Sequence, residues 1–441
     1  MNKPAIVIAC FICLFSYCTT DNQGTTENEN PFTTLTTDGA WCWFSDPRAV
    51  YYEGLHKRTY TGWVDEEGSI WVGFYDHETD SSSRYRLEHR FEKDDHDNPA
   101  LHVDKEGKLL VFFSKHGEKD PMLLAKTRVA EDISSWEMTE ELVLNDTLTY
   151  QGLKDSYTYA NIIRLSDEDQ LYLFWRGMDY KPNFSTSSDD GKTWATGKIL
   201  VLPERIYQNR RPYLKVASNQ KNVIHFAFTD GHPNAEPENS IYYVKYKEGG
   251  LFKADGSKIM EWSELPLQPR QGDVVYDAAA TKEKAWIWDV AENKEQVPVI
   301  TYVKFPTDSN HVYCYALWDE GKWKNYDLID SGPWFPKMPA DSIIREPNYS
   351  GGIVLDHHDP SKVYLSVKRG EVYELEKWTT PDKGVSWEVE ALTSSSERDN
   401  VRPFVVRDYP GEEAPVLWLE LERYTHYTDY KASVRMSLPK K

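Results

Sequence analysis

The chain alternates short apolar runs with turn-forming residues and sustains no helical period. Runs rich in Val, Ile, Tyr, Phe and Trp are separated by Gly, Asp, Asn and Pro, the pattern of many short strands. One two-strand unit recurs at 48–75, 97–114, 159–176, 211–229, 275–302, 349–367 and 402–420. Seven copies at a spacing of about fifty residues match the length of a four-stranded blade. Further strand pairs, such as 122–129 and 240–246, lie between the copies. The prediction is an all-β protein, a seven-bladed β-propeller; a sandwich or a β-helix does not explain so long a repeat. Two hairpins support it. Ser187-x-Asp189-x-Gly191-x-Thr193-Trp194 matches the Asp-box pattern, and Thr380-x-Asp382-x-Gly384-x-Ser386-Trp387 differs only in its first residue. Here Asp caps the turn, Gly takes positive φ and Trp packs beneath, so the motif reports architecture and not activity.

The first residues read differently. Lys3 and an apolar run from Ala5 to Phe15 form a signal peptide, too short to span a membrane as a helix. Cys18 directly after that run predicts lipidation, although the bulk of Tyr17 leaves ordinary signal cleavage open. The expected organisation is a leader over 1–17, a lipidated Cys18 and polar tether over 18–33, and one propeller domain over 34–441. The protein is then a surface lipoprotein, touching the membrane only through its anchor, or a secreted or periplasmic protein if not lipidated. No later apolar stretch approaches membrane-spanning length. Beyond the leader only Cys42 and Cys314 accompany Cys18, so the core depends on burial and not on disulfides. A closed propeller exposes little sheet edge, and a monomer is expected.

A formal net charge of −20 argues against nucleic acid as a partner. It also opposes an anionic glycan, unless a local basic constellation outweighs a field screened within about 10 Å. Such a constellation exists at one rim. In each blade the innermost strand starts, and the second strand ends, at the same mouth of the central channel. Starts supply His96, Tyr157, Tyr159, Arg210, Arg211, Tyr276, Tyr349 and Arg402; ends supply Asp76, His77, His116, Arg176, Asp230 and His232. Any one of these is more often a solvated loop residue than a functional one. Successive blades nevertheless bring acid–base groups beside cations. Hydrolysis normally needs two facing carboxylates, whereas Asp95 and Asp97 flank His96 as orienters or turn residues. A sialidase scheme could use Arg176, Arg211 and Arg402 but leaves the histidines idle. β-Elimination from a uronate uses the whole set: Arg neutralises the carboxylate, and His or Tyr moves the proton.

The segments DDHDNPAL (94–101), SKHG (114–117), YTYANIIRL (157–165), FWRG (174–177) and FTDGHP (228–233) resemble the seven-bladed propeller ulvan lyases. WFSDPRAV (43–50) and RYTHYTDY (423–430) resemble the first and last segments of the broader BNR-repeat superfamily. The resemblance implies His96 and Tyr159 as the acid–base pair, His116 assisting, and Arg176 on the uronate carboxylate. Which of the pair abstracts and which donates stays open, and Tyr157 competes with Tyr159. Tyr157, Arg210, Arg211, Tyr276, Tyr349 and Arg402 would bind substrate. The resemblance also implies one structural zinc, with His232, His311 and Cys314 as candidates, and no organic cofactor. His311 and Cys314 are three apart and would need a bulge to share an ion. An anionic polysaccharide of rhamnose and uronate is the implied partner. A propeller α-L-rhamnosidase, a lyase for another rhamnose–glucuronate glycan, and a non-catalytic glycan-binding lipoprotein are the alternatives.

Overall fold

The computed structural model describes residues 32–117, 119–203, 210–307, 310–333 and 348–438. The leader and Cys18 lie outside the described residues. Seven antiparallel sheets form a closed ring, whose innermost strands are Ala49–Glu53, Ala100–Val103, Asn161–Leu165, Leu214–Ser218, Lys284–Glu292, Ile353–Leu355 and Asn400–Val405. From each, the chain zigzags outward through its blade. The fourth blade carries extra strands, among them Asp273–Tyr276 paired laterally to Ile241–Lys247. The ring is closed by the chain start: Phe32–Thr36 is the outermost strand of the seventh blade, paired to Asp429–Ser437. That strand begins inside the span read as tether. Both Asp boxes form as the pattern requires. Asp189 accepts from the Thr193 and Lys192 amides and Asp382 from that of Ser386, with Gly191 at φ +79° and Gly384 at φ +97°.

The register of the repeat differs in two blades. At 48–75 the two-strand unit falls on the second and third strands, Lys57–Val64 and Ile70–Asp76. Asp76 therefore ends a strand running to the opposite face, where it pairs with Arg58, while His77 meets Thr59. At 275–302 the unit begins on the extra outer strand of the fourth blade. Tyr276 consequently packs on Tyr302, donates to the Glu283 carbonyl, and stands away from the channel mouth.

The middle of the channel is filled. Trp41, Cys42, Trp43 and Phe44 are four consecutive buried residues, a run no half-exposed strand tolerates because its side chains alternate between faces. They thread the axis instead. Trp43 stacks on Trp288 at 4.5 Å and meets Trp286 and Tyr349 edge-on. Phe44 packs on Tyr159 and Tyr213. Buried backbone groups need partners, and the blades supply them as side chains. Arg402 donates to the Trp41 carbonyl (2.5 Å), Lys215 to that of Trp43 (2.6 Å) and Asn161 to that of Phe44 (2.8 Å). Asn98 accepts from the Cys42 amide. Lys215 also binds Asp46, the carboxylate that receives Arg48.

Because this plug touches blades three to seven at once, its loss has a large expected cost. Trp43→Ala should destabilise by about 3–5 kcal/mol, read from urea unfolding, whereas Leu55→Ala at an exposed turn should stay within about 0.5 kcal/mol. Equal effects of the two would show that the plug does not hold the ring.

Candidate active site

Above the plug, the second blade presents two histidines. Asp94 is the N-cap of the 3-10 turn Asp95–Asp97 and accepts from the His96 amide. Its Oδ1 lies 2.6 Å from His96 Nδ1 and its Oδ2 2.9 Å from His116 Nδ1. His116 follows the strand Leu109–Phe113, and Glu92 fixes its backbone by accepting from its amide. One carboxylate thus clamps two imidazoles, which stack at 4.1 Å with 9° between planes. Tyr427 stands edge-on to both rings. A carboxylate only accepts, so each Nδ1 carries a proton and each Nε2 is left for other work. The Nε2 of His96 faces the Tyr349 hydroxyl at 3.4 Å.

The third blade supplies the opposing groups. Tyr159 precedes the strand Asn161–Leu165 with φ +61°, a conformation costly for an aromatic residue. The twist breaks strand alternation and turns its ring toward the histidines, 5.7 Å from His96 and 6.1 Å from His116. The guanidinium of Arg176, at the end of Gln170–Arg176, lies 4.4 Å from that ring centroid. Among the described residues, Arg176 donates to the hydroxyls of Tyr213 (3.1 Å) and Thr158 (3.5 Å), and to no carboxylate. It is 6% exposed. A buried guanidinium without a carboxylate is poised to receive one.

Protonation follows from this geometry. Burial raises the Asp94 carboxyl, but the two histidines overcome it and hold it well below the carboxylate range. Burial also opposes charge on His96, yet Cys42 and Asp94 hold its pKa well above the ordinary value. Burial and the charge of neighbouring His96 push His116 down to about 4. Burial keeps the Tyr159 phenol protonated far above its usual range, against the pull of Arg176. At neutral pH the site therefore holds an imidazolium, a neutral imidazole and a phenol side by side. Pairs driven apart in this way mark an acid and a base.

The remaining expected residues separate into groups. Tyr349 joins the site through His96. Arg211 reaches the rim beside Arg176, its guanidinium 4.1 Å from the Tyr180 ring. Arg210 is engaged by Glu236 at the rim. Tyr157 is structural: its hydroxyl accepts from the Leu144 and Asn145 amides, and its ring stacks on Trp175. Arg402 is buried beneath the site, bound to Asp95 at 2.6 Å and to Tyr424, so it braces the His96 turn and does not reach substrate. Asp94 orients both imidazoles, and Asp95 Oδ1 also lies 3.3 Å from His96 Nδ1.

The expected zinc ligands do not meet. His232 packs on Trp286 and Tyr213 and is pushed down to about 3 by burial and by Arg176. His311 lies against Phe305 and Tyr313, and the Cys314 thiol against Asp327. Among the described residues, the one set of three ligand-type groups close together is Asp94, His96 and His116. An ion must lie near the plane of each imidazole it binds, about 2.0–2.1 Å from nitrogen for zinc. Rings stacked in parallel planes 4.1 Å apart do not offer that.

Asp94, Tyr213 and Tyr427 were not picked out as site residues. Asp94 could have been found from the Asp-x-His spacing of an N-cap. Tyr213 could have been found from its place just before an innermost strand, like that of Tyr159. A cavity of about 380 Å³ lies at the other mouth, with Val50, Leu101, Ile162, Val216, Arg164 and Arg407 in its lining. The site is assigned to the histidine mouth because Asp94, His96, His116, Tyr159 and Arg176 converge there; the other mixes aliphatics with polar groups already engaged with one another, Asp46 with Lys215 and Arg48, and His357 with Asp289.

The sequence profile of BNR repeat-containing family members matches residues 58–331. The chain belongs to this family. No curated protein matches it. Among solved structures, this family member is similar to a PL25 polysaccharide lyase, an ulvan lyase solved bound to -[GlcA(1-4)Rha3S]-. The TM-score is 0.67 at 14% identity, covering 91% of this chain and 95% of the other. It is also similar to the polysaccharide lyase Uly1, with a TM-score of 0.57 at 10% identity over 91% and 96% of the two chains. At such identities the likeness is one of fold.

Asp94→Asn removes one partner of a buried ion pair and should cost about 3–5 kcal/mol at neutral pH. The raised pKa of His96 contributes stability that is present below its unfolded value and lost as pH rises through the folded one. The deficit of the variant should therefore narrow as pH rises above the ordinary histidine value of about 6.5. A constant deficit would show that the pair is not ionic.

Proposed function

We propose that this protein is a polysaccharide lyase that cleaves a sulfated rhamnose–uronate polysaccharide of the ulvan class by β-elimination. The observation that carries the reading is Arg176, a buried guanidinium bound to hydroxyls alone, beside a phenol and a clamped imidazole pair. A uronate carboxylate docked on Arg176 has its charge neutralised, which makes the C5 proton removable. The neutral His116 takes that proton through Nε2. With its side chain 21% exposed against 4% for His96, it is the imidazole that reaches substrate. The C5–H electron pair forms the C4=C5 double bond as the C4–O4 bond breaks. Tyr159 donates its proton to the departing oxygen, and Arg176 stabilises the phenolate until the proton on His116 returns by exchange. His96, as imidazolium, keeps Asp94 ionised and so keeps both rings oriented.

The ulvan lyase noted above was solved with a glucuronate–rhamnose-3-sulfate repeat, and such a repeat supplies the groups this chemistry needs. Hydrolysis finds less support. Asp94 is spent on two histidines and Asp95 on Arg402 and Tyr424, so neither is free as the paired carboxylates of a glycosidase. With its leader read as that of a lipoprotein and Cys18 acylated, the enzyme would work at the cell surface.

Incubation with ulvan should release products that absorb in the near ultraviolet through the new unsaturated uronyl group. New reducing ends without that chromophore would establish hydrolysis, and binding without new ends a binding protein. His116→Ala and Tyr159→Phe should each lower kcat by about 10²–10⁴. Since the base form of His116 is needed, kcat/KM in the wild type should fall as pH drops through about 4. Full activity in His116→Ala would remove its assignment as base.

A further inference from the structure

A second cationic cluster borders the site. Tyr180 follows Asp179 in a tight turn in which both residues have positive φ, +47° and +60°. Two consecutive left-handed residues are costly. The turn is held by the Asp179 amide on the Lys154 carbonyl (2.7 Å) and by Lys181, committed to Asp179. Its effect is to lift the Tyr180 ring into the middle of three cations from different elements. The Arg211 guanidinium lies 4.1 Å from the ring centroid, the Lys154 ammonium 4.6 Å and the Arg176 guanidinium 5.3 Å. Lys154 also donates to the Tyr180 hydroxyl and to the carbonyl of Gly117, the residue after His116. Tyr180 accepts from Lys154 and keeps its own hydroxyl proton to donate.

Three like charges repel, and in a chain of net charge −20 carboxylates are in surplus. Yet among the described residues the contacts of Arg211, Lys154 and Arg176 include no carboxylate. The acids nearby are committed elsewhere, Asp179 to Lys181, Glu236 to Arg210 and Asp120 to Lys115. If Arg176 takes the uronate, Arg211, Lys154 and the Tyr180 hydroxyl remain as a tripod of donors one sugar ring further along the rim.

Resting on the lyase reading, we propose that Arg211, Lys154 and Tyr180 form a sulfate subsite for the sugar adjoining the uronate. A sulfate ester is a permanent anion with three terminal oxygens, which suits three donors converging from separate directions. A second carboxylate offers two coplanar oxygens and suits a single arginine fork better.

The test compares wild type, Arg211→Gln and Lys154→Gln on ulvan and on chemically desulfated ulvan. Initial rates and affinity electrophoresis are both measured, the latter reading retention by the polymer without any chemistry. Loss of one charge-assisted hydrogen bond corresponds to about ten- to a hundredfold. Desulfation should lower wild-type kcat/KM and retention by that factor. Arg211→Gln should fall similarly on the sulfated polymer and lose little more on the desulfated one, the coupling expected of direct partners. Arg211→Lys, which keeps the charge, should recover part of the retention and shows that the position tolerates exchange. Equal losses on both polymers in Arg211→Gln would assign the cluster to a carboxylate and overturn the proposal, as would wild-type indifference to desulfation. If wild type cleaves neither polymer, the lyase reading fails and the retention measurements alone decide the subsite.

Discussion

Everything in this molecule depends on how the channel axis is filled. A ring of seven sheets leaves a central space that no strand's own side chains need occupy, and here residues 41–47 occupy it. The plug succeeds because each of its carbonyls at Trp41, Trp43 and Phe44 finds a side-chain donor on a different blade. Two of those donors are cations, so the same groups that satisfy the backbone carry charge onto the axis. Asp46 answers Lys215, and Asp95 answers Arg402. The plug thereby divides the channel into two mouths with different chemistry. One is floored by aromatic rings and crowned by Asp94 and the histidines. The other opens into the cavity lined by Val50, Leu101 and Ile162 together with Arg164, His357 and Arg407.

That division also explains how an acidic chain can hold a site for an acidic ligand. Asp94 contacts both imidazoles, and the His96 imidazolium neutralises it. Asp95, immediately behind, is neutralised by Arg402. Arg176, Arg211 and Lys154 therefore face the rim against a local background that is not negative. The remaining excess of Asp and Glu lies over distances that salt screens. The net charge speaks to solubility and to the exclusion of nucleic acid, while the choice of glycan is made within a few ångströms.

Much of this was legible in the chain, for a reason visible in the second, third and fourth blades. There the two-strand unit coincides with the first and second strands, so residues flanking it must share a mouth. His96, His116, Tyr159, Arg176 and Arg211 were grouped on that ground, and the structure brings them together. In the first and fifth blades the same reasoning fails. Every strand of a propeller is apolar on alternate positions, and nothing in the pattern says which strand of a blade is innermost. Asp76, His77 and Tyr276 were misplaced for that cause. Tyr159 is preferred to Tyr157 in the sequence only for its place directly before the apolar strand; the left-handed backbone that turns its ring leaves no mark in composition. Asp94 lies outside that reasoning because its role is to bond two rings twenty positions apart in the chain, which spacing alone does not reveal.

Non-glycine residues with positive φ are common in turns, but Tyr159, Tyr180 and Arg402 are bulky, the two tyrosines standing at the histidine mouth and Arg402 buried directly beneath it. Each such conformation costs of order 1–3 kcal/mol, and it persists only where surrounding structure over-determines it. Here the surroundings are identifiable. Phe44 and Tyr213 hold the Tyr159 ring, Lys154 and Arg211 hold Tyr180, and Asp95 with the Trp41 carbonyl holds Arg402. An ordinary strand residue at these positions would direct its side chain between neighbouring blades, where it would serve the core. The strained backbone directs it over the channel instead. Strain at this mouth is thus the structural means by which a repeated, core-building unit presents reactive side chains, and the rigid plug beneath is what allows the strain to be held.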